Sequence, residues 1–187
     1  GRHTKTALED LILRKFSRAL DQYSFKAKGS GKSGLISTSR PGPEVMRRTA
    51  VEFTEKLLIV RFEVGFPANG RTINAQELEK ILLDFLPQIV KKCLYYQAWD
   101  KRLVQEGFEL AENQQKIREV LEERKLVAFC ANGSILPRKS GVSSQPLKDA
   151  VAFESPKSME LAIDLPFGGS IFGMGIPEGV TLIIGGG

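Results

Sequence analysis

The sequence predicts an α+β protein: helices with an antiparallel sheet, followed by a short antiparallel β extension. Three observations carry this. Apolar residues recur at helical spacing in residues 7–23 and 74–95, β-branched and aromatic runs flank a three-residue break in residues 45–66, and strand-like alternation with glycine turns fills the stretch after Pro156.

The first helix carries Leu8, Leu11, Ile12, Phe16, Ala19, Leu20 and Tyr23 at spacings of three and four, with Arg14, Lys15 and Arg18 off that stripe or at its rim. Residues 25–34 then break the pattern with Lys26, Lys28, Gly29, Ser30, Gly31, Lys32, Ser33 and Gly34, a composition suited to an exposed loop. Residues 45–53 and 57–66 read as an antiparallel hairpin turning at Thr54-Glu55-Lys56. Asn74 is placed to cap a helix whose third residue is Glu77, with Leu78, Ile81, Leu82, Phe85 and Leu86 as its stripe; Pro87 is expected to break or restart it. Residues 100–125, charged and free of proline, predict a long helix. Residues 126–130 predict a short strand, Asn132-Gly133 a turn, and residues 137–146 a loop. Residues 159–165 and 170–176 predict strands joined at Gly168-Gly169, and residues 180–184 a buried strand. The change of texture places a domain boundary near residue 150, giving segments 1–150 and 151–187, the second too short to fold alone.

At 187 residues and 42% apolar content, the chain can bury one core and the start of another. No apolar run approaches the roughly 20 residues a bilayer span requires, and charges occupy the N-terminus. The expectation is a soluble, cytoplasmic protein without a membrane partner. Cys93 and Cys130 stand apart and His3 is the only histidine, so no metal-ligand cluster and no Cys/His nucleophile pair is expected. Net charge is +5, unevenly placed: residues 1–50 hold 11 Lys/Arg against 4 Asp/Glu. An N-terminal basic surplus of this kind suits a polyanion, with Lys26, Lys28, Lys32, Arg40, Arg47 and Arg48 as candidate backbone contacts, joined by Arg138 and Lys139 in the later loop. A solvated basic helix face is the plain alternative.

Two stretches invite a phosphate-loop reading. In residues 29–34 (GSGKSG) the Gly-Lys-Ser triplet lacks the earlier glycine of a P-loop, whose position holds Lys26, and no strong apolar strand precedes it. A basic surface loop is the reading preferred there. In residues 180–187 (VTLIIGGG) an apolar run ends in Gly185, Gly186 and Gly187, where a backbone free of Cβ atoms can approach phosphates closely.

Residues 127–143 (VAFCANGSILPRKSGVS), 152–156 (AFESP) and 173–187 (GMGIPEGVTLIIGGG) resemble the ATPases of the ABC class. Residues 29–40 (GSGKSGLISTSR) and 61–71 (RFEVGFPANGR) resemble the N-terminal domain of that family, and the likeness covers essentially the whole chain. The resemblance implies that the triple glycine opens a Walker A loop and that the intact protein uses ATP and Mg as a homodimer. It also implies that the chain is an internal piece, joined in the intact protein to the remainder of the ATPase domain. Phe167 and Phe172 lie where relatives stack adenine on an aromatic ring. Some relatives are linked with RNA processing, which directs the basic half towards RNA or another nucleic acid.

The sequence as it stands has no Walker A lysine, no magnesium-binding acid of the family pattern and no signature loop, so no catalytic residue, no metal site and no bound cofactor are expected for this chain itself. The leading expectation is a piece of an ABC-class ATPase, inactive alone. The alternative is a stand-alone basic nucleic-acid-binding domain. A small enzyme built on Asp149, Glu154, Glu160 and Asp164 lacks a convergent carboxylate pair in this spacing.

Overall fold

The computed structural model describes residues 1–182 and 184. The chain divides into two compact units, Gly1–Phe108 and Glu109–Gly187, and the change of texture near residue 150 falls inside the second. Among the described residues no helix is long and apolar enough to cross a membrane.

The first unit is built on α1 (Arg2–Asp21), whose predicted stripe buries Phe16, Ala19 and Leu20, while Leu13, outside that stripe, is buried as well and Leu8, Leu11 and Ile12 are only partly covered. After it come β1 (Ile36–Ser37), β2 (Val51–Phe53), β3 (Leu58–Val60), β4 (Glu63–Val64), β5 (Ala68–Asn69) and β6 (Thr72–Ile73). β2 and β3 form the expected hairpin, pairing Val51 with Val60 and Phe53 with Leu58. Its turn closes where expected, with the Leu57 amide donating to Thr54 Oγ1 at 2.9 Å.

The hairpin is shorter than its apolar runs suggested. Residues 45–50 make no strand, and Val45 and Met46 lie about half exposed. Backbone carbonyls of residues 42–46 are instead engaged by arginines: Arg14 donates to Gly42 O at 2.6 Å and to Glu44 O at 3.3 Å, and Arg48 donates to Met46 O at 3.4 Å. At the other end β4 leaves β3 and pairs with β1, Ile36 opposite Val64. That pairing brings the 29–40 stretch against the 61–71 stretch.

α2 (Ala75–Glu79), a π-helical turn (Lys80–Phe85) and α3 (Leu86–Cys93) follow without interruption. Asn74 caps the series, its Oδ1 accepting from the Glu77 amide at 3.3 Å. Proline cannot donate to the preceding turn and its ring crowds that carbonyl. The widened π turn just ahead of Pro87 accommodates both effects, so the helix is re-registered and not broken. Phe16, Leu20, Tyr23, Ala27, Ile36, Ile81, Ile89 and Cys93 form the core of this unit.

α4 (Lys101–Glu123) confirms the long helix of residues 100–125, beginning in the first unit and ending in the second. The second unit then holds β7 (Leu126–Ala131), β8 (Arg138–Ser140), β9 (Ser143–Pro146), β10 (Glu160–Asp164) and β11 (Ser170–Pro177). β10, β11 and β7 make an antiparallel sheet in that order, with Ile163 opposite Ile171 and Gly175 opposite Phe129. Gly173 and Gly175 are buried in the central strand. A Cβ on Gly175 would meet the Leu161 side chain, and one on Gly173 would meet the Cys130 carbonyl. The predicted loop at 137–146 is a small hairpin, β8 pairing with β9. Its residues are exposed nearly throughout, so no apolar alternation marks it in sequence.

The expected strand at 180–184 is not formed by its described residues. Val180, Leu182 and Ile184 are 97%, 83% and 89% exposed. An apolar strand is stable when another layer covers it, and no described element of this chain covers these three.

Candidate functional site

Residues 29–34 fold as a braced turn, not as a phosphate cradle. A cradle needs several amides converging on open space at the start of a helix. Here the Ser30 amide donates to Ala68 O at 2.8 Å, Ser33 to Ser30 O, Gly34 to Gly65 O at 2.8 Å and Leu35 to Lys32 O. The Ser33 hydroxyl is buried and accepts from the Ala68 amide at 3.0 Å. The segment leads into β1 rather than a helix. It therefore presents Lys28 and Lys32 to solvent from a fixed scaffold.

The six N-terminal cations proposed for polyanion contact separate into two groups. Arg40 pairs with Asp21 at 2.7 Å, Arg47 with Glu52 at 3.6 Å and Arg48 with the buried Asp10. Lys26, Lys28 and Lys32 are exposed and have no ion-pair partner among the described residues. Arg138 and Lys139 stand exposed on β8, in the second unit.

The fold adds Lys92, which sequence reasoning did not single out, and joins it to Lys26 through Tyr23 of the apolar stripe. Lys26 Nζ lies 4.8 Å from the centre of the Tyr23 ring, and Lys92 Nζ lies 4.9 Å from the same centre. Lys92 also donates to the Tyr23 hydroxyl at 2.8 Å, across 69 positions of sequence. No local pattern signals this meeting, because Lys91-Lys92 reads as an ordinary basic last turn of α3.

An open cleft of about 330 Å³ lies in the same unit, with Ser37, Thr38, Thr49, Arg61, Phe62 and Glu63 among its lining residues. Its polar groups are engaged: Arg61 donates to Thr49 O and to Glu52, and Thr38 Oγ1 donates to Arg61 O at 2.8 Å. The Arg61 hydrogen bond holds the Glu52 carboxyl below its ordinary range.

In the second unit Phe167 and Phe172 differ in setting. Phe167 is half-buried, its amide donating to Asn113 Oδ1 and its carbonyl accepting from Asn113 Nδ2, each at 3.0 Å. Phe172 is 54% exposed on β11, opposite Ala162. Glu160 accepts from Ser155 Oγ at 2.8 Å and from Asn132 Nδ2 at 3.0 Å, bonds that keep its carboxyl below the ordinary range. Asp164 accepts from Ser170 Oγ. These carboxylates are structural acceptors on separate partners. Among the described residues no group of three or more His, Cys, Asp or Glu side chains could hold a metal ion. The candidate glycines Gly185, Gly186 and Gly187 lie outside the described residues.

Two family models match the chain in succession. Residues 2–97 match the N-terminal domain of the ATPases of the ABC class. The chain belongs to that class. Residues 100–187 match the P-loop domain of an ABC ATPase, so the second ABC-class match begins within one residue of α4 and runs through the three-stranded sheet. A search of curated proteins found no significant match. Membership implies dependence on a nucleotide and magnesium in the intact ABC-class ATPase.

Proposed function

We propose that the intact protein is an ATPase in which nucleotide binding closes two P-loop domains of a homodimer, and that its N-terminal half rides on this motion while holding nucleic acid, RNA in the first place. The observation that carries the reading is the succession of an ABC-class N-terminal domain and a P-loop domain along one chain. ATP with Mg²⁺ supplies the phosphoryl-transfer chemistry when bound. From this chain, Gly185, Gly186 and Gly187 would open the phosphate loop, and Phe172, with its ring more than half exposed, would take the adenine face better than the half-buried Phe167.

The nucleic-acid part of the proposal is supported by charge. Residues 1–50 hold a surplus of seven positive charges, and Lys26, Lys28 and Lys32 have no ion-pair partner among the described residues. Contacts of lysine with phosphates set affinity and carry little sequence choice.

The test is ATP turnover by the full-length protein, with and without single-stranded RNA. Hydrolysis that RNA accelerates is expected. Absence of hydrolysis overturns the ATPase reading; turnover together with no RNA binding overturns the nucleic-acid part alone.

A further inference from the structure

We propose that Lys26 and Lys92, gathered against one tyrosine in the fold, form a preassembled clamp for a phosphate group. The clamp goes beyond the family assignment, and it rests on the nucleic-acid reading above only for the source of the phosphate.

Its geometry begins with the backbone. α1 ends at Asp21, and the chain reverses at Phe25, which adopts φ +62°, a left-handed conformation that bulky side chains rarely take. The Phe25 amide is held by Gly34 O at 2.7 Å and the Lys26 amide by Tyr23 O at 3.2 Å. The reversal carries Lys26 back over the ring of Tyr23. From the other direction α3 delivers Lys92, whose ammonium donates to the Tyr23 hydroxyl. That hydroxyl donates onward to Gln88 Oε1 at 2.9 Å, and Gln88 Nε2 donates to Asp84 Oδ1 at 2.6 Å. The phenol is therefore oriented by bonds on both sides.

Electrostatics make the pair unusual. Both ammoniums lie within 5 Å of one ring centre, so they stand within roughly 10 Å of each other, where like charges repel. Neither has an ion-pair partner among the described residues. The nearby acids are engaged elsewhere: Glu77 pairs with Lys80 and accepts from the Lys28 amide at 2.8 Å, and Asp84 accepts from Gln88. Lys28 and Lys91 add exposed positive charge in the neighbouring sequence. An anion held by both Lys26 and Lys92 would relieve the repulsion, and the ring quadrupole holds both cations near their working positions beforehand.

The same geometry selects phosphate over a base. Tyr23 is only 6% exposed, so its ring serves as a platform for the lysines and offers no face for stacking. Lysine binds phosphate as a compact point charge without demanding a planar partner. Phosphate can come from a nucleic-acid backbone or from a free phosphate compound, and the two are separable.

Two probes on the 187-residue chain make the test. Inorganic pyrophosphate is titrated while NMR follows the Tyr23 ring and the lysine side chains. A fluorescein-labelled single-stranded RNA of about 12 nucleotides is titrated by polarisation between about 50 and 200 mM salt. The variants are K26Q/K92Q and K26R/K92R, with K56Q as a distant control and circular dichroism to verify folding. Pyrophosphate is expected to shift the Tyr23 and lysine resonances in the native chain and not in K26Q/K92Q. RNA affinity is expected to fall about tenfold in K26Q/K92Q, and the slope of log K against log salt to shrink by about 0.7 for each phosphate no longer neutralised. K26R/K92R and K56Q should bind nearly as the native chain.

Pyrophosphate shifts without RNA binding keep the clamp, make its ligand a free phosphate compound and sink the nucleic-acid reading. RNA binding that K26Q/K92Q leaves intact, slope included, together with pyrophosphate shifts that are absent or survive in that variant, overturns the clamp and leaves the nucleic-acid reading standing. No response to either probe overturns both.

Discussion

Arg48 closes onto Asp10 across 38 positions of sequence, in an ion pair whose side chains are 17% and 2% exposed. Asp10 also accepts from Arg14 at 2.6 Å, and both arginines reach the carbonyls of the 42–46 segment. One buried carboxylate on α1 thus fixes the strap that precedes β2.

Removing Arg48 should therefore destabilise the first unit. Asp10 keeps Arg14, so the expected loss for R48A is about 1–3 kcal/mol in urea denaturation, the range for a buried acceptor deprived of one partner. D10A leaves two arginines facing a buried gap and should cost more, about 3–5 kcal/mol. Equal stability of R48A and the native chain would show that this pair does not hold the strap.

Cys93 should be an inert thiol. It is fully buried and donates to Ile89 O, and desolvation pushes its pKa up to about 11, against a smaller opposing effect from Lys15. At about pH 8 a disulfide reagent should modify Cys93 only as fast as the unit opens. A group whose folded pKa is raised keeps its full contribution below the unfolded value and loses it as pH climbs. Stability should accordingly decline between about pH 9 and 11, and C93A should flatten that decline.

Glu160 predicts the opposite limb. Ser155 and Asn132 donate to its carboxylate and hold its pKa below the ordinary value. Its contribution is complete above the unfolded carboxylate pKa and disappears as pH falls through the lower, folded one. Acid unfolding of the second unit should become less steep in E160Q, followed by β-sheet circular dichroism from about pH 6 downward. An unchanged acid limb would remove Glu160 from the account.

The buried glycines of β11 should differ in their tolerance of alanine. At Gly173 the new Cβ would collide with the Cys130 carbonyl oxygen, which the strand pairing holds in place. At Gly175 it would meet Leu161 Cδ2, the end of a side chain that can turn away. G173A is expected to cost about 2–3 kcal/mol and G175A about 1 kcal/mol by thermal or urea denaturation. The reverse order would contradict the packing of this sheet.

The 187-residue chain should not bind ATP tightly. Its Gly-Lys-Ser triplet at 31–33 sits in a braced turn, where the Ser30, Ser33 and Gly34 amides donate to Ala68 O, Ser30 O and Gly65 O instead of converging on a phosphate. Titration calorimetry should find no affinity tighter than millimolar. A micromolar dissociation constant would overturn this.

Local signals were enough for the elements whose energetics are local. The stripe of α1, the Asn74 cap, the Thr54 turn and the alternation of β10 each follow from spacing and hydrogen-bond chemistry within a few residues. The π turn before Pro87 follows from the proline, although its form could not be read from composition. The Gly-Lys-Ser triplet at 31–33 was legible as a surface loop because its flanks lack the strand and glycine of a phosphate cradle; only the fold revealed the brace to Gly65 and Ala68.

What the sequence by itself determined is the α+β class, the basic N-terminal half and the likeness to the ABC-class ATPases, because helical spacing, charge and motif are properties of neighbouring residues. What only the tertiary structure decided is which charges remain without ion-pair partners. Arg48 and Lys26 are both basic residues near loops, yet one faces a buried aspartate brought from α1 and the other faces a tyrosine and a second lysine brought from α3. Coulomb interactions depend on distance in space, and chain separation carries no information about it.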